Sequence, residues 1–304
     1  MLFRSFTIKI LLIYNINTMI YWIASYPKSG NTWLRILLSC YFYTKDGFYD
    51  ENSLKNIQQF PEKQYFQEFS YNQNIIGDTT KYWLKAQEKI NEDKKLRFFK
   101  THNVFGLVNN SHFTNKENSI GCIYIVRDPR NIFTSIKNFY EMDNDKALKW
   151  MVNQNQYIYD IHNFEKDGYS DFQFISSWDN NYKSWKLQKK IPVKIIKYED
   201  LLDQTFTVFK EVIEFINLSI NSSEPINKQK IKNAVNSTLF SKLQSKEKNE
   251  GFSEAILSKK GDKKIPFFFL GPENNWKKIL DTNVKNKIID AFKKNLIELS
   301  YSVD

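Results

Sequence analysis

Residues 20–33 read IYWIASYPKSGNTW, and this stretch decides the fold. Its first six residues, 20–25, form a short apolar run that turn-forming residues follow, which is typical of a buried strand. Beginning near Asn31, apolar side chains recur at the spacing of one helix face: Trp33, Ile36, Leu37, Cys40 and Tyr41. A strand that leads through a polar loop, residues 26–33, into an amphipathic helix indicates an α/β unit.

Three more segments have the length and composition of buried strands: residues 96–100, 120–126 and 193–197. The middle one is apolar throughout, as a strand covered on both faces is. Asp128 and Pro129 follow it directly. Because Asp is a good N-cap and Pro suits the first turn, another helix is predicted to begin there.

Apolar residues at helical spacing predict further helices over five segments: 145–165, 177–189, 203–217, 227–249 and 281–300. Because strands alternate with helices, we predict an α/β fold, a P-loop-like and mostly parallel sheet flanked by helices on both faces. No internal repeat or linker interrupts this pattern, so residues 19–304 are interpreted as a single domain. Residues 1–18, which precede Met19 and the first strand, are interpreted as an N-terminal extension that does not belong to the native chain.

The composition narrows the class of protein. The chain has 304 residues, 41% of them hydrophobic, which allows a sizeable core. Lys and Arg number 44 against 34 Asp and Glu, and the resulting charge of +10 suits an anionic ligand. A nucleic-acid-binding protein stays open as an alternative on charge alone.

Cysteine and histidine usage points to an intracellular protein without a metal site. Cys40 and Cys122 lie within apolar runs, which is typical of core thiols and favours a reducing, cytoplasmic location. The cysteines and the three histidines show no metal-ligand spacing, so no metal is expected. The apolar run at residues 10–14 is too short to span a membrane.

The loop at residues 26–33, YPKSGNTW, has the features of an anion site. It precedes a predicted helix N-terminus, where unpaired backbone N–H groups favour an anion. Gly30 allows close backbone approach, Lys28 adds a positive charge, and Ser29 and Thr32 add hydroxyl donors. The loop lacks the Gly-Lys-Ser/Thr ending of the usual ATP-binding loop, so magnesium and ATP are not predicted.

Two other strand ends carry polar groups that the parallel sheet brings to the same edge. Arg127 ends the strand at 120–126, and Ser135 follows eight residues later, where both can contact one anion. Lys100 and His102 end the strand at 96–100, in the string KTH. A histidine is the usual general base for transfer to an alcohol.

Taken together, YPKSGNTW, KTH and Arg127…Ser135 resemble, in content and order, the motifs of sulfotransferases that use 3′-phosphoadenosine-5′-phosphosulfate (PAPS). The resemblance implies that the loop binds the 5′-phosphate through these residues: Lys28, Ser29, Gly30, Asn31, Thr32 and Trp33. It implies that Lys28 contacts the bridging oxygen, Lys100 the sulfonate, and that His102 is the base. It also implies that Arg127 and Ser135 hold the 3′-phosphate and that Tyr198 in IIKYEDLL lies near the adenine.

The C-terminal stretch FFFLGPENNWKK, residues 267–278, departs from the family pattern. Phe269 and Leu270 stand where many members carry Arg-Lys, while Gly271 is kept as a donor-site glycine. Two cationic contacts to the 3′-phosphate are thereby lost, and weaker PAPS binding is predicted. Compensation by Lys263, Lys264 or Lys277 stays open as an alternative.

The resulting prediction is a sulfotransferase that moves a sulfonate group in line from PAPS to a hydroxyl or amine of a small-molecule acceptor. The alternatives are a catalytically idle PAPS- or anion-binding member of the fold and a nucleotide-dependent phosphotransferase. Residues 44–95, 103–118 and 145–190 are expected to line the acceptor pocket. Aromatic side chains there include Tyr65, Phe66, Phe69 and Tyr71.

Overall fold

The computed structural model describes residues 18–258, 261 and 263–303. The proposed N-terminal extension, apart from Thr18, lies outside the described residues. The strands are β1 Ile20–Ser25, β2 Gln58–Gln59, β3 Arg97–Thr101, β4 Leu107–Val108, β5 Ser111–His112, β6 Ser119–Val126, β7 Tyr157–Ile158, β8 Gln173–Phe174, β9 Val193–Lys197, β10 Ile256–Leu257 and β11 Lys264–Ile265.

The helices lie between and after these strands. They are α1 Asn31–Tyr43, α2 Glu51–Leu54, α3 Trp83–Asn91, α4 Pro129–Phe139, α5 Asn144–Val152, α6 Phe164–Asp167, α7 Trp178–Leu187, α8 Tyr198–Asp203, α9 Thr205–Ser219, α10 Lys228–Ser237, α11 Phe240–Glu250, α12 Trp276–Ile279 and α13 Thr282–Glu298. Short 3₁₀ turns cover Lys63–Phe66, Asp78–Tyr82 and Gly271–Glu273.

Five strands form a parallel sheet in the order β2-β3-β1-β6-β9. This confirms the predicted α/β class and mostly parallel sheet. Because all five strands run the same way, the ends of β1, β3, β6 and β9 share one edge, which is where α/β folds bind ligands. The two outer strands differ in kind: β2 has two residues, Gln58 and Gln59, and β9 carries Lys194 and Lys197.

The core lies on both faces of the sheet, as predicted. Alternate residues of β1 face opposite sides, since successive strand side chains do. Trp22 packs with a cluster that includes helices α7 and α13, whereas Ile23 packs with a cluster that includes α1 and α9. Cys40 and Cys122 are both buried free thiols.

Most predicted elements agree with the structure to within one or two residues, and two do not. The predicted helix at 145–165 is wrong beyond Val152, because the chain leaves α5 and forms β7, which pairs with β8. The predicted helix at 227–249 is two helices. They are separated at Thr238, whose carbonyl accepts a hydrogen bond from the Trp33 indole at 3.2 Å.

Candidate active site

The loop between β1 and α1 is a tight turn with two residues in the left-handed region. Lys28 has φ +65° and Gly30 has φ +98°. A Cβ at Gly30 would overlap Cδ2 of the Tyr198 ring and lie 3.0 Å from Cε2, so only glycine fits against that ring. The turn leads into the N-terminus of α1, whose first backbone N–H groups have no partner within the helix.

Some side chains of the loop between β1 and α1 bond within the protein core, and others lie at the cavity. Asn31 turns inward, and its Nδ2 donates to the Ile23 carbonyl at 3.0 Å. Ser29 is buried, and its hydroxyl has no hydrogen-bond partner among the described residues. Thr32 donates to the carboxylate of Glu254 at 2.8 Å. Asn31 therefore holds the loop, while Thr32 presents its hydroxyl to the cavity.

Lys28 is half-buried at the mouth of the loop. Its ammonium lies 3.7 Å from the centroid of the Phe139 ring and 4.3 Å from that of Phe267, a cation–π arrangement. Burial lowers the pKa of Lys28 to about 7, and the charges of Lys100 and Arg127 lower it further while Glu254 opposes the shift. The ammonium is thus held by weak aromatic contacts and can be recruited by a stronger anion.

Arg127 and Ser135 reach the same region from β6 and α4. Arg127 NH1 donates to the Lys28 carbonyl at 3.2 Å, and its guanidinium lies 4.2 Å from the centroid of the Tyr198 ring. Its Nε is buried without a partner in the described part of the chain. Ser135 Oγ accepts a hydrogen bond from Asn274 at 3.0 Å. One donor of Arg127 therefore braces the loop, while the side chain lines the cavity.

Helix α4 is positioned as the sequence predicts. Asp128 caps it by accepting from the Arg130 N–H at 2.9 Å, and Pro129 occupies the first turn. Arg130 is fully buried, paired with Asp128 at 2.7 Å and stacked 3.8 Å over Trp276. Arg130 is thus a structural residue that fixes the segment around Trp276.

His102 follows β3 and is buried. Its Nδ1 lies 2.7 Å from the Ser25 carbonyl, which can only accept, so Nδ1 carries the hydrogen and Nε2 keeps a free lone pair. Its backbone is held by Gln173 and Asn181 at 2.7 and 2.8 Å. Burial and the nearby Lys100 charge lower the pKa of His102 to about 3. The imidazole is therefore neutral at physiological pH, and its Nε2 is unprotonated.

One cavity of about 1550 Å³ brings these groups together. The residues proposed from the sequence that line it are Lys28, Gly30, Asn31, Thr32, Trp33, Lys100, His102, Arg127, Ser135, Tyr198 and Gly271. Ser29 lies behind the loop and does not line it. Burial lowers the pKa of Lys100 as well. Segments more than one hundred residues apart thus meet at the predicted edge of the sheet.

The C-terminal departure is visible in the cavity wall. Phe269 and Leu270 line the cavity, at the sequence positions where the family pattern has two cations. Glu247 holds this segment by accepting from the Phe267 and Phe268 N–H groups at 2.7 and 2.8 Å. Neither Lys263, Lys264 nor Lys277 is among the described residues that line the cavity.

The expected acceptor lining needs correction. Phe66 is fully buried in the core, and Tyr65, Phe69 and Tyr71 pack against that core instead of lining the cavity. Within residues 44–95 and 145–190, the side chains that do line the cavity are mostly polar and include Gln58, Gln59, Glu62, Tyr159, Ser170 and Asp171. Tyr65, Phe66, Phe69 and Tyr71 instead pack in or against the hydrophobic cluster that contains Trp22 and Phe60.

Two functional candidates were missed from the sequence. Arg35 lies on α1 one turn after Thr32, is 6% exposed, and lines the cavity. Its partner Glu254 is contributed by the segment between α11 and β10. Arg35 could have been noticed at helical spacing from Thr32, but no local signal identifies Glu254.

Comparison with known proteins agrees with this geometry. Residues 20–300 match the family model described as the sulfotransferase domain. The chain is 26% identical over 273 residues to sulfotransferase 1A1 of Rattus norvegicus, covering 88% of this chain and 81% of that protein. It is 24% identical to the luciferin sulfotransferase of Photinus pyralis over 66% of this chain and 52% of that protein.

The fold is similar to that of a solved retinol dehydratase in complex with androsterone and the inactive cofactor PAP. That similarity has a TM-score of 0.50 at 16% identity and covers 93% of this chain and 83% of the other. In the part of the chain that the structure describes, the helices are all too short or too polar to cross a membrane.

Proposed function

We propose that this chain, which belongs to the sulfotransferase domain family, transfers the sulfonate of PAPS to a hydroxyl or amine of a small molecule with His102 as the base. The observation that carries the proposal is the convergence of Lys28, Lys100, His102 and Arg127 on one cavity. His102 would supply the base, Lys100 and Lys28 would supply cations for the sulfonate and the bridging oxygen, and Arg127 would contact the 3′-phosphate.

His102 would start the reaction. Its Nδ1–H is committed to the Ser25 carbonyl, so Nε2 accepts the proton of the acceptor hydroxyl or amine. The acceptor atom forms a bond to sulfur as the bond between sulfur and the bridging oxygen breaks. The electron pair of that bond stays on the 5′-phosphate of the product, 3′,5′-adenosine bisphosphate.

The cations would stabilise charge that develops at the two ends. Lys100 would contact the sulfonate oxygens, and Lys28 would contact the bridging oxygen once its ammonium leaves the Phe139 and Phe267 rings. The N-terminus of α1 would bind the 5′-phosphate. Arg127 and Ser135 would bind the 3′-phosphate, and Tyr198 and Trp33, 6.0 Å apart between ring centroids, would flank the adenine.

A small-molecule acceptor fits the cavity. Its volume of about 1550 Å³ exceeds that of common ligand pockets, roughly 300–1000 Å³, as expected if donor and acceptor bind together. The retinol dehydratase of similar fold was solved in complex with androsterone. We also propose a cytoplasmic location, which the two free thiols Cys40 and Cys122 support.

Calorimetric titration with 3′,5′-adenosine bisphosphate tests the donor site. We expect saturable one-site binding that Lys28→Ala and Arg127→Ala weaken. Lys55→Ala is the matched control, because Lys55 also lines the cavity but bonds Asn52 at 3.0 Å. Absence of binding to the unmodified protein at millimolar ligand would remove PAPS as the donor.

A radiolabelled-sulfonate assay against a panel of alcohols and amines then separates an enzyme from a catalytically idle member. Transfer that requires His102 supports the proposal. Donor binding without transfer to any acceptor would favour a catalytically idle member of the family. The absence of cations at Phe269 and Leu270, which line the cavity, is the observation that favours this alternative. Magnesium-dependent ATP turnover would favour the phosphotransferase.

A further inference from the structure

The carboxylate of Glu254 lies among the cations of the donor site. It accepts a hydrogen bond from Thr32 Oγ1 at 2.8 Å and forms an ion pair with Arg35. Burial opposes its ionisation, but the charges of Arg35 and Lys100 outweigh that effect and hold the pKa of Glu254 below its usual range. Glu254 is therefore an anion at a place built from loop residue Thr32 and helix α1.

This arrangement conflicts with simultaneous donor binding. A threonine hydroxyl has one hydrogen to donate. While Thr32 donates to Glu254, it cannot donate to the 5′-phosphate that the loop is proposed to hold. Either Thr32 takes no part in donor binding, or the carboxylate and the donor exchange at this hydroxyl.

The state of Arg35 favours exchange. Arg35 is 6% exposed, its NH2 donates to the Ile57 carbonyl at 2.9 Å, and its Nε has no partner in the described part of the chain. A buried guanidinium that loses its only carboxylate is strongly unfavourable unless another anion arrives. A phosphosulfate group entering beside Thr32 would supply that anion.

The remaining cations respond to the same carboxylate. The Glu254 charge acts to raise the pKa of Lys28, Lys100 and His102, against the larger effect of burial. One carboxylate thus partly neutralises a cluster whose other members are all proposed to face the donor. A dianionic group at the same position would take over that neutralisation.

We propose that Thr32 and Arg35 form an anion subsite of the donor site, and that Glu254 is the internal anion which the phosphosulfate group of the donor replaces. This inference rests on the proposed function. It adds Arg35 to the donor-binding residues, and it makes Glu254 a competitor that sets donor affinity.

Calorimetry with 3′,5′-adenosine bisphosphate and with PAPS tests the exchange. Glu254→Gln removes the charge but keeps the side-chain shape, and we expect both ligands to bind about tenfold more tightly, a change of about 1.4 kcal/mol. Glu250→Gln is the control: it removes a carboxylate that pairs with Lys246 at the surface, and the dissociation constants should stay within about twofold. In the Glu254→Gln background, Arg35→Gln should weaken PAPS binding by about tenfold.

Hydrogen exchange on the unmodified protein gives a second readout that does not depend on how a variant folds. Release of Glu254 predicts faster exchange at residues 251–258 when 3′,5′-adenosine bisphosphate is bound. Slower exchange there, or unchanged or weaker binding by a stably folded Glu254→Gln, would show that Glu254 is a latch over bound donor and overturn the inference. Those outcomes leave the proposed function intact. If the unmodified protein fails to bind the bisphosphate at all, the proposed function and this inference both fall.

Discussion

Substitution of Gly30 by alanine should destabilise the protein and damage the donor site together. Two costs follow from the structure. The first is the left-handed backbone at φ +98°, which costs an L-residue about 1–2 kcal/mol. The second is overlap of the new Cβ with the Tyr198 ring, a forced repacking that costs about 1–3 kcal/mol. The free energy of unfolding should therefore fall by about 2–5 kcal/mol.

Gly261→Ala separates the two costs. Gly261 also has a positive φ, +72°, but a Cβ there would meet no atom of the described residues within 4 Å. Denaturant unfolding should show the smaller, backbone cost for Gly261→Ala and the full cost for Gly30→Ala. Because Tyr198 stacks on Arg127, only Gly30→Ala should also weaken 3′,5′-adenosine bisphosphate binding. Equal effects of the two variants on stability and binding would refute the role of the Gly30–Tyr198 contact.

Four further outcomes are expected. His102→Gln should lower kcat by about 10²–10⁴-fold while the dissociation constant for 3′,5′-adenosine bisphosphate, measured by calorimetry, changes little. The pKa of His102 is about 3 in the folded protein, below its usual 6.5, so between these two pH values only the unfolded chain protonates this side chain. The free energy of unfolding should therefore fall as the pH falls from 6.5 to 3. In acid-unfolding curves, His102→Gln should show a smaller fall over this range. Since Lys28 has a pKa of about 7, kcat/KM should decline above pH 7 as the cation is lost, and a pH–rate profile of Lys28→Arg should lack that decline. Phe269→Arg should tighten bisphosphate binding by about tenfold, since a charged hydrogen bond contributes about 1.5–3 kcal/mol. Leu218→Arg is the control, because it adds the same charge at an exposed site away from the cavity. Its dissociation constant for the bisphosphate, measured by calorimetry, should be unchanged.

Local sequence patterns were sufficient to predict those elements whose residues alone indicate a strand, a helix or a helix cap. The strand at 20–25, the start of α1 and the Asp128 cap follow from neighbouring residues alone. The meeting of Lys28, Lys100, His102 and Arg127 follows from one further fact, that parallel strands end at the same edge of a sheet. The assignment of these residues to a donor site rests in addition on the resemblance of their motifs to those of the sulfotransferase family.

Tertiary contacts determined what the patterns missed. The break at Thr238 has no Gly or Pro to mark it and is accompanied by a hydrogen bond from Trp33, 205 residues away. Beyond Val152 the helical pattern continues, yet the chain pairs with β8 instead. Glu254 is separated from Thr32 by 222 residues, within a polar stretch that gives no sign of its partner. Such contacts depend on packing between elements, which local spacing does not encode.

The outer strands of the sheet bear on how the protein behaves when concentrated. The inner strands β1 and β6 are apolar runs that are paired on both sides, so only the outer strands offer open edges to another copy. One edge offers only the two glutamines of β2, too short to template pairing. The other carries Lys194, paired with Glu211 at 3.1 Å, and Lys197, which lies 4.4 Å from the Tyr301 ring centroid. A second chain that added a strand there would have to displace both lysines, so the sheet is protected from edge-to-edge aggregation at each end by a different means.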